Sequence, residues 1–367
     1  MKILLIGSSN LILLNGISKR IPYFMEIAGL ASMSSISIHN LAVGGTGSLF
    51  GWERVVQHQE NNYDIILIDY GITDLFTREN DRNLWIEGFK GLINHLKFRF
   101  PSALIANILL GRRDPNFWPR QAELHTEMKE IADIYGIYSI DVDSHLKQPG
   151  SRAIFHSLYK DENHYTVPSG VDHVAQYCTL KLASFLINKR NPLPQISGTR
   201  DHFKIHITPI PAPPQIFSGT RFHWTASKLL INENIKIKVP GLPIGVSFVS
   251  TPESCAIHIQ SNKKSCIINT ATAWTQNGLL PFIVTHAPIL GQWSPEIKPP
   301  TSSYLDISII DARSRLWDES LVQNHGYPEG RAVADSFAKN KEPSVYIDKI
   351  TSWTLETPDV PVSRVLN

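Results

Sequence analysis

The first part of the chain, up to about residue 190, alternates short apolar runs with longer amphipathic stretches, and this restricts the fold more than any other feature. The runs KILLI (2–6), SISIH (35–39), DIILID (64–69), ALIANI (103–108) and IYSID (137–141) have strand length. Between them, stretches near 18–32, 82–99, 119–135 and 168–188 carry apolar residues at helical spacing. In 82–99, Leu84, Trp85, Phe89, Leu92, Ile93 and Leu96 recur at three- and four-residue steps and build one buried stripe. Strands apolar on both faces need cover on both sides. With right-handed crossovers, this predicts a three-layer α/β/α sandwich around a parallel sheet. Reactive groups in such sheets collect beyond the carboxyl ends of the strands.

At 367 residues the chain is long for one core, and its character changes near residue 190. The stretch KRNPLPQISGTRDHFKIHITPIPAPPQ is rich in proline and glycine and reads as a linker or crossing segment over 191–222. Beyond it, KIKV, GVSFVS, CAIHIQ, SCIIN, PFIVTH and LDISII are short, β-branched and separated by turn residues. The expected organisation is therefore an α/β domain over 1–190, a linker over 191–222, and a β-sandwich-like domain over 223–367. A short helix fits 327–340. Trp224, Trp274, Trp293, Trp317 and Trp353 read by default as core, and this half shows no catalytic constellation.

Composition narrows the function classes. The 35 basic and 33 acidic residues leave a formal charge of +2, with no lysine or arginine run to draw in nucleic acid or an anionic membrane. The cysteines, Cys178, Cys255 and Cys266, are too few and too scattered for a disulfide framework or zinc site. A bridge between Cys255 and Cys266 is the less favoured reading. No apolar run reaches the ~18 residues that would cross a bilayer. Residues 2–14, KILLIGSSNLILL, have one lysine, an apolar stretch broken by Gly7 to Asn10, and no small-residue cleavage site after them. They read as a strand and turn, not a secretion signal, and the expected location is cytoplasmic.

Four polar clusters fall at the expected strand ends. Gly7-Ser8-Ser9-Asn10 follows the first run: a serine there can lift its hydroxyl clear of the sheet edge, or the group can be an ordinary turn and cap. HNLAVGGTGS (39–48) follows the second, and its paired Gly44 and Gly45 allow either a close backbone approach to a ligand or a tight turn. DYGITDL (69–75) follows the third, with Thr73 as a hydroxyl donor and Asp74 as a loop anchor or a contact. DENHYT (161–166) precedes the last helical stretch. In it, Asp161 stands three residues before His164, where a carboxylate can bond the imidazole Nδ1 proton and leave Nε2 to take a proton from serine. A nucleophilic serine needs a base, the base an orienting carboxylate, and the developing oxyanion needs donors. All of these sit along one sheet edge.

This order of blocks resembles the SGNH (GDSL-type) hydrolase superfamily, over residues 1–190 only. The resemblance implies a flavodoxin-like fold with Ser9 as nucleophile, Asp161 and His164 as its partners, and Gly45 as an oxyanion donor with Gly44 close by. Ser8 replaces the usual aspartate of the first block, and Thr73 replaces the usual oxyanion-binding asparagine, which leaves Asn10 as a second candidate donor. Asn10, Gly44, Asp74 and Arg112 are possible substrate contacts. Arg113 and Asp114 are further candidates for that role, and Phe50, Trp52, Phe76, Phe117 and Trp118 read equally as core or helix packing or as candidates for stacking on sugar. The implied chemistry is acyl transfer through a serine ester, without metal or organic cofactor. The expected substrate is a small-molecule or glycan ester, with acetylated carbohydrate favoured. The alternatives are an O-acyltransferase using the same triad and a non-catalytic glycan-binding protein on a decayed hydrolase scaffold. A phospholipase or thioesterase would want a long apolar cleft, which no loop promises.

Overall fold

The computed structural model describes residues 1–152, 154–188, 202–218, 223–230, 233–261, 264–290, 300–310, 321–324 and 343–356. The chain divides into two compact units, one of Met1–Ile196 with Val284–His286 and one of Ser197–Ile283 with Ala287–Asn367.

The first unit is built on five parallel strands: β1 (Lys2–Gly7), β2 (Ser37–Asn40), β3 (Ile65–Asp69), β4 (Leu104–Leu109) and β5 (Tyr138–Asp141). Their order is β2-β1-β3-β4-β5, so the chain reverses its direction of travel across the sheet between β1 and β3. That switch point opens a crevice at the carboxyl ends of the two strands. β3 and β4 are buried along their whole length, as strands covered on both faces must be.

The helices are α1 (Ser9–Ile12), α2 (Ile17–Ile27), α3 (Ser48–Gln57), α4 (Asp74–Asn80), α5 (Arg82–Arg99), α6 (Trp118–Tyr135), α7 (Val142–Leu146), α8 (Pro149–Arg152) and α9 (Ser169–Asn188). α2 packs against α9, and their apolar residues Ile17, Ile21, Met25, Val174, Cys178 and Leu182 share one core with Ile3, Leu5, Ile65 and Leu67 of the sheet. α3, α5 and α6 pack side by side in the other layer. α2, α5, α6 and α9 answer to the helical stretches of the sequence. The short α1, α3, α4, α7 and α8 do not, because helices of ten residues or fewer repeat their apolar spacing too few times to read.

The second unit is β-rich. One sheet contains β6 (His202–Pro209), β7 (Pro214–Ser218), β8 (His223–Leu230), β10 (Leu242–Ser250), β13 (Ile283–Pro288) and β16 (Ser344–Glu356). The other contains β9 (Asn234–Pro240), β11 (Ala256–Ser261), β12 (Lys264–Asn269), β14 (Ser302–Ile309) and β15 (Leu321–Asn324), and the unit's one named helix is α10 (Ala273–Gln276). Leu229, Val246, Phe248 and Ile347 of one sheet meet Ile237, Ile257, Ile268 and Leu305 of the other in a single core, the arrangement of a sandwich. Trp224 and Trp353 are buried in this unit. The side chain of Trp274, with Trp293, Trp317 and the helix expected at 327–340, lies outside the described residues.

One expectation is corrected here. Residues 202–209 and 214–218, assigned to a linker, are strands β6 and β7. β6 alternates along its pairing with β16, and the prolines that suggested a linker sit at strand ends: Pro209 closes β6 and Pro214 opens β7. β7 is an edge strand, where a residue without an N–H loses no ladder bond. Cys255 and Cys266 are both free and buried, and burial pushes each thiol up to about 12.

Asp74, read as a loop anchor or a possible substrate contact, is an internal tie, 1% exposed. Its Oδ1 accepts the Ser48 amide at 2.8 Å and its Oδ2 accepts the Trp85 indole at 2.9 Å, joining α3, α4 and α5 beneath the sheet edge. Burial raises its carboxyl to about 6, against the lowering effect of the Ser48 and Trp85 bonds. Burial, with Asp74 nearby, raises Asp69 to about 7. Both values lie above the unfolded aspartate value of ~3.9, so between there and neutrality the folded state holds more protons than the unfolded one. Their contribution to stability is therefore complete at low pH and is lost as pH rises through about 6 to about 7. We expect Asp69→Asn to flatten this fall. Urea midpoints followed by helical circular dichroism from pH 5 to 8 check it, and equal slopes for both proteins would refute the assignment.

Candidate active site

The site begins where β1 ends. Gly7 pairs with Asp69 of β3, and a Cβ on residue 7 would lie 2.7 Å from the Asp69 carbonyl oxygen, so only glycine fits. The chain then turns through buried Ser8 into α1, which Ser9 opens. The hydroxyl of Ser9 lies 2.8 Å from Nε2 of His164. On the other side of that ring, Nδ1 lies 2.9 Å from both carboxylate oxygens of Asp161. The expected trio is therefore brought together in one unbroken chain from hydroxyl to imidazole to carboxylate. The carboxylate accepts from Nδ1–H, so Nε2 is left to accept from the serine hydroxyl.

The segment carrying Asp161 and His164 is a tight loop with its own restraints. Asp161 Oδ1 also accepts the amides of Asn163 and His164, each at 2.9 Å. The Lys160 amide donates to the His164 carbonyl at 2.8 Å, and Tyr159 bridges Tyr165. Partial burial opposes ionisation of Asp161, but the Asn163 amide and the His164 ring and amide outweigh it and hold the carboxyl below its ordinary range. It therefore stays an anion at neutral pH, and the 48% exposure of its side chain works in the same direction.

Two side chains clamp this loop from outside. Asn10, expected as a substrate contact or oxyanion donor, is buried and donates from Nδ2 to the Asn163 carbonyl at 2.9 Å. One of its two amide protons thus positions the loop that carries Asp161 and His164. Arg113 pairs with Glu162, and its backbone amide donates to the Glu162 carbonyl at 3.0 Å. Neither clamp was legible in sequence, because each joins residues far apart in the chain.

The glycine loop lies directly against the serine. A Cβ on Gly44 would fall 3.6 Å from Ser9 Cβ and 3.3 Å from Ile12 Cδ1. Gly45 has φ of 72°, a backbone conformation that L side chains resist. The loop is tied to the sheet by the Val43 amide, which donates to the Gly7 carbonyl at 3.0 Å, and by the Thr46 hydroxyl, which donates to the Val43 carbonyl at 2.7 Å. Thr73 precedes α4 at the end of the β3 loop, and its buried hydroxyl has no hydrogen-bond partner among the described residues.

Arg112 reaches back over the same turn. Its Nη2 donates to the Ile72 carbonyl at 3.2 Å, and its guanidinium lies 4.5 Å from the centroid of the Phe117 ring. The aromatic residues considered for sugar stacking divide. Phe50 and Trp52 are each 1% exposed and take the core reading, as α3 packs against α5. Phe76, Phe117 and Trp118 are half-buried, and Trp118 donates from its indole to the Arg112 carbonyl at 3.0 Å. Among the described residues, no group of three or more histidine, cysteine or acidic side chains could hold a metal, and no helix is long and apolar enough to cross a membrane.

No family model matches the chain, and no curated protein matches it. Solved structures do. Two structures of a two-domain esterase (CEX) active on acetylated mannans, one of them co-crystallised with mannopentaose, align over 97% of this chain. They cover 91% and 92% of that protein, with TM-scores of 0.66 and 0.64 and identities of 13% and 12%. A putative lipolytic protein of the G-D-S-L family from Desulfitobacterium hafniense DCB-2 aligns over 49% of this chain and 98% of its own, at 14% identity and a TM-score of 0.38. At such identities the likeness is one of fold. In fold, the chain has the two-domain architecture of that esterase, an α/β/α unit and a β-rich unit, as the apolar runs of its two halves implied.

Proposed function

We propose that the protein is a serine-dependent ester hydrolase that removes acetyl or another short acyl group from carbohydrate. The observation that carries this reading is the unbroken chain from Ser9 Oγ through His164 to Asp161, at 2.8 and 2.9 Å. In the proposed reaction Ser9 attacks the ester carbonyl as its proton passes to His164 Nε2, and Asp161 stabilises the imidazolium. The Gly45 amide and the Thr73 hydroxyl hold the oxyanion. Collapse of this intermediate breaks the ester bond, and His164 returns the proton to the departing sugar hydroxyl. Water, deprotonated by the same ring, then cleaves the acyl-serine and releases the carboxylic acid.

The carbohydrate part of the reading is supported by the fold match to an esterase active on acetylated mannans, which extends over both units. A binding protein on a decayed scaffold would not need a serine, a histidine and a carboxylate kept in hydrogen-bonding register, so that alternative is disfavoured. A sugar hydroxyl in place of water would give O-acyl transfer from the same acyl-serine, and the acceptor alone separates the two.

Three variants test the roles. Ser9→Ala should abolish nitrophenol release from p-nitrophenyl acetate and acetate release from acetylated mannan; equal rates in wild type and variant would remove Ser9 from the mechanism. Asp161→Asn should lower kcat at least tenfold, with the fold intact by circular dichroism. Thr73→Ala should lower kcat by about 10- to 10³-fold with KM within about twofold, because the hydroxyl is proposed to act in the transition state. A change confined to KM would place Thr73 on the bound substrate instead. If acetylated product forms only when a sugar acceptor is added, the reaction is transfer.

A further inference from the structure

The first unit holds a second histidine–aspartate pair at the same sheet edge, and the proposed reaction does not use it. His125 on α6 and Asp143 on α7 are both buried, with His125 Nδ1 3.5 Å from Asp143 Oδ2. Lys147 donates to the same carboxylate oxygen at 2.7 Å. Nε2 of His125 meets no hydroxyl: it lies 3.0 Å from Nε2 of Gln121, one turn earlier on α6. That amide nitrogen also donates to the carbonyl of Gly71 in the β3 turn.

The hydrogen-bond roles follow from chemistry. The Gln121 Nε2 group has only protons to give, so the Gly71 carbonyl and the His125 Nε2 lone pair must both accept. The ring proton then sits on Nδ1, facing Asp143. This network is built into the strand ends. A Cβ on Gly71 would lie 3.0 Å from His125 Nε2 and 3.1 Å from the Leu110 backbone, and one on Gly111 would lie 1.7 Å from Asp143 Oδ1. Glycine at the ends of β3 and β4 makes the room in which the pair sits.

What the network holds is the turn that carries Thr73. Gln121 takes the Gly71 carbonyl, Arg112 takes the Ile72 carbonyl at 3.2 Å, and the Asp74 amide closes the turn onto the Tyr70 carbonyl at 3.0 Å. Every residue around Thr73 is tethered, while its own hydroxyl is unengaged among the described residues. We propose that Gln121, held by the His125–Asp143 pair, is a positioning residue that aims the Thr73 hydroxyl by fixing the Gly71–Thr73 turn. The inference rests on the ester reading above for what Thr73 does, but the fixing of the turn can be measured without any substrate.

Gln121→Met keeps the volume and removes both donors. In a folded variant we expect kcat on p-nitrophenyl acetate to fall about tenfold with KM within about twofold. The decisive comparison repeats the substitution in Thr73→Ala, where the further loss should be under twofold, because the residue acts through a hydroxyl that is no longer there. Equal losses in the two backgrounds, or an unchanged kcat in folded Gln121→Met, would overturn the proposal. His125→Asn frees Gln121 without removing it, and should give a smaller loss of the same kind if Gln121→Met does not fold. Hydrogen–deuterium exchange of a peptide spanning 69–76 reads the turn directly and should accelerate in both variants. Unchanged exchange refutes the positioning role whatever the kinetics. Faster exchange in a chain whose wild type cleaves no ester upholds the positioning and refutes the ester reading instead.

Discussion

The close approach of two strand ends governs the site. β1 and β3 meet at Gly7 and Asp69, where a side chain on residue 7 would collide with the Asp69 carbonyl at 2.7 Å. The chain leaving β1 therefore turns at once, and Ser9 comes up at the switch point between strands that feed opposite sides of the sheet. The same crowding buries Asp69 close to Asp74. Keeping two carboxyls out of water opposes their ionisation, and the fold accepts this penalty for the ties that Asp74 makes to Ser48 and Trp85. Those ties fix the start of α3 and the β3 loop together, and so hold the glycine loop and Thr73 in one frame.

The parts of this structure that were legible in sequence are those that repeat or are local. Five apolar runs and four long amphipathic stretches announced the sheet and its main helices, since burial on both faces leaves a continuous apolar signature. The Asp161–His164 pair was legible because it is made within one loop, three residues apart. Its partner Ser9 lies far away in sequence, and only the order of the blocks linked them. The structural tie of Asn10 was hidden for a related reason. It stands beside the nucleophile, where a polar residue suggests contact with a ligand, and nothing local reveals that its amide is bonded to Asn163 across the crevice.

Elsewhere composition is a poor guide to conformation. Prolines at 209 and 214 suggested a linker, yet they bound two strands, one of them at an open edge where proline is harmless. Phe50 and Trp52 stayed open between core and rim because α3 is too short to show its buried face. One signal was present and went unread. On α6, Gln121 and His125 stand on the same stripe as Leu124, Met128 and Ile131, so two polar side chains occupy an apolar face. Polar residues on a buried stripe must find partners inside the protein, and here they find the loop that carries Thr73.

The two histidine–aspartate pairs show why geometry, and not residue type, decides what such a pair can do. In each, a carboxylate oxygen faces Nδ1, so the free valence of the ring is at Nε2. At His164 that nitrogen meets a serine hydroxyl at 2.8 Å, on a half-exposed loop that a substrate can reach. At His125 it meets a glutamine amide at 3.0 Å in a fully buried space, with a lysine ammonium on the carboxylate behind it. The first ring can receive a proton because its partner has one to give up; the second can only accept a hydrogen bond from an amide that keeps its proton. A serine in place of Gln121 would not convert the second pair into a second site, because the space around it is filled by the two strand ends. Burial that makes a pair rigid also closes it to chemistry, and the exposure of Asp161 is the counterpart of the access that Ser9 needs.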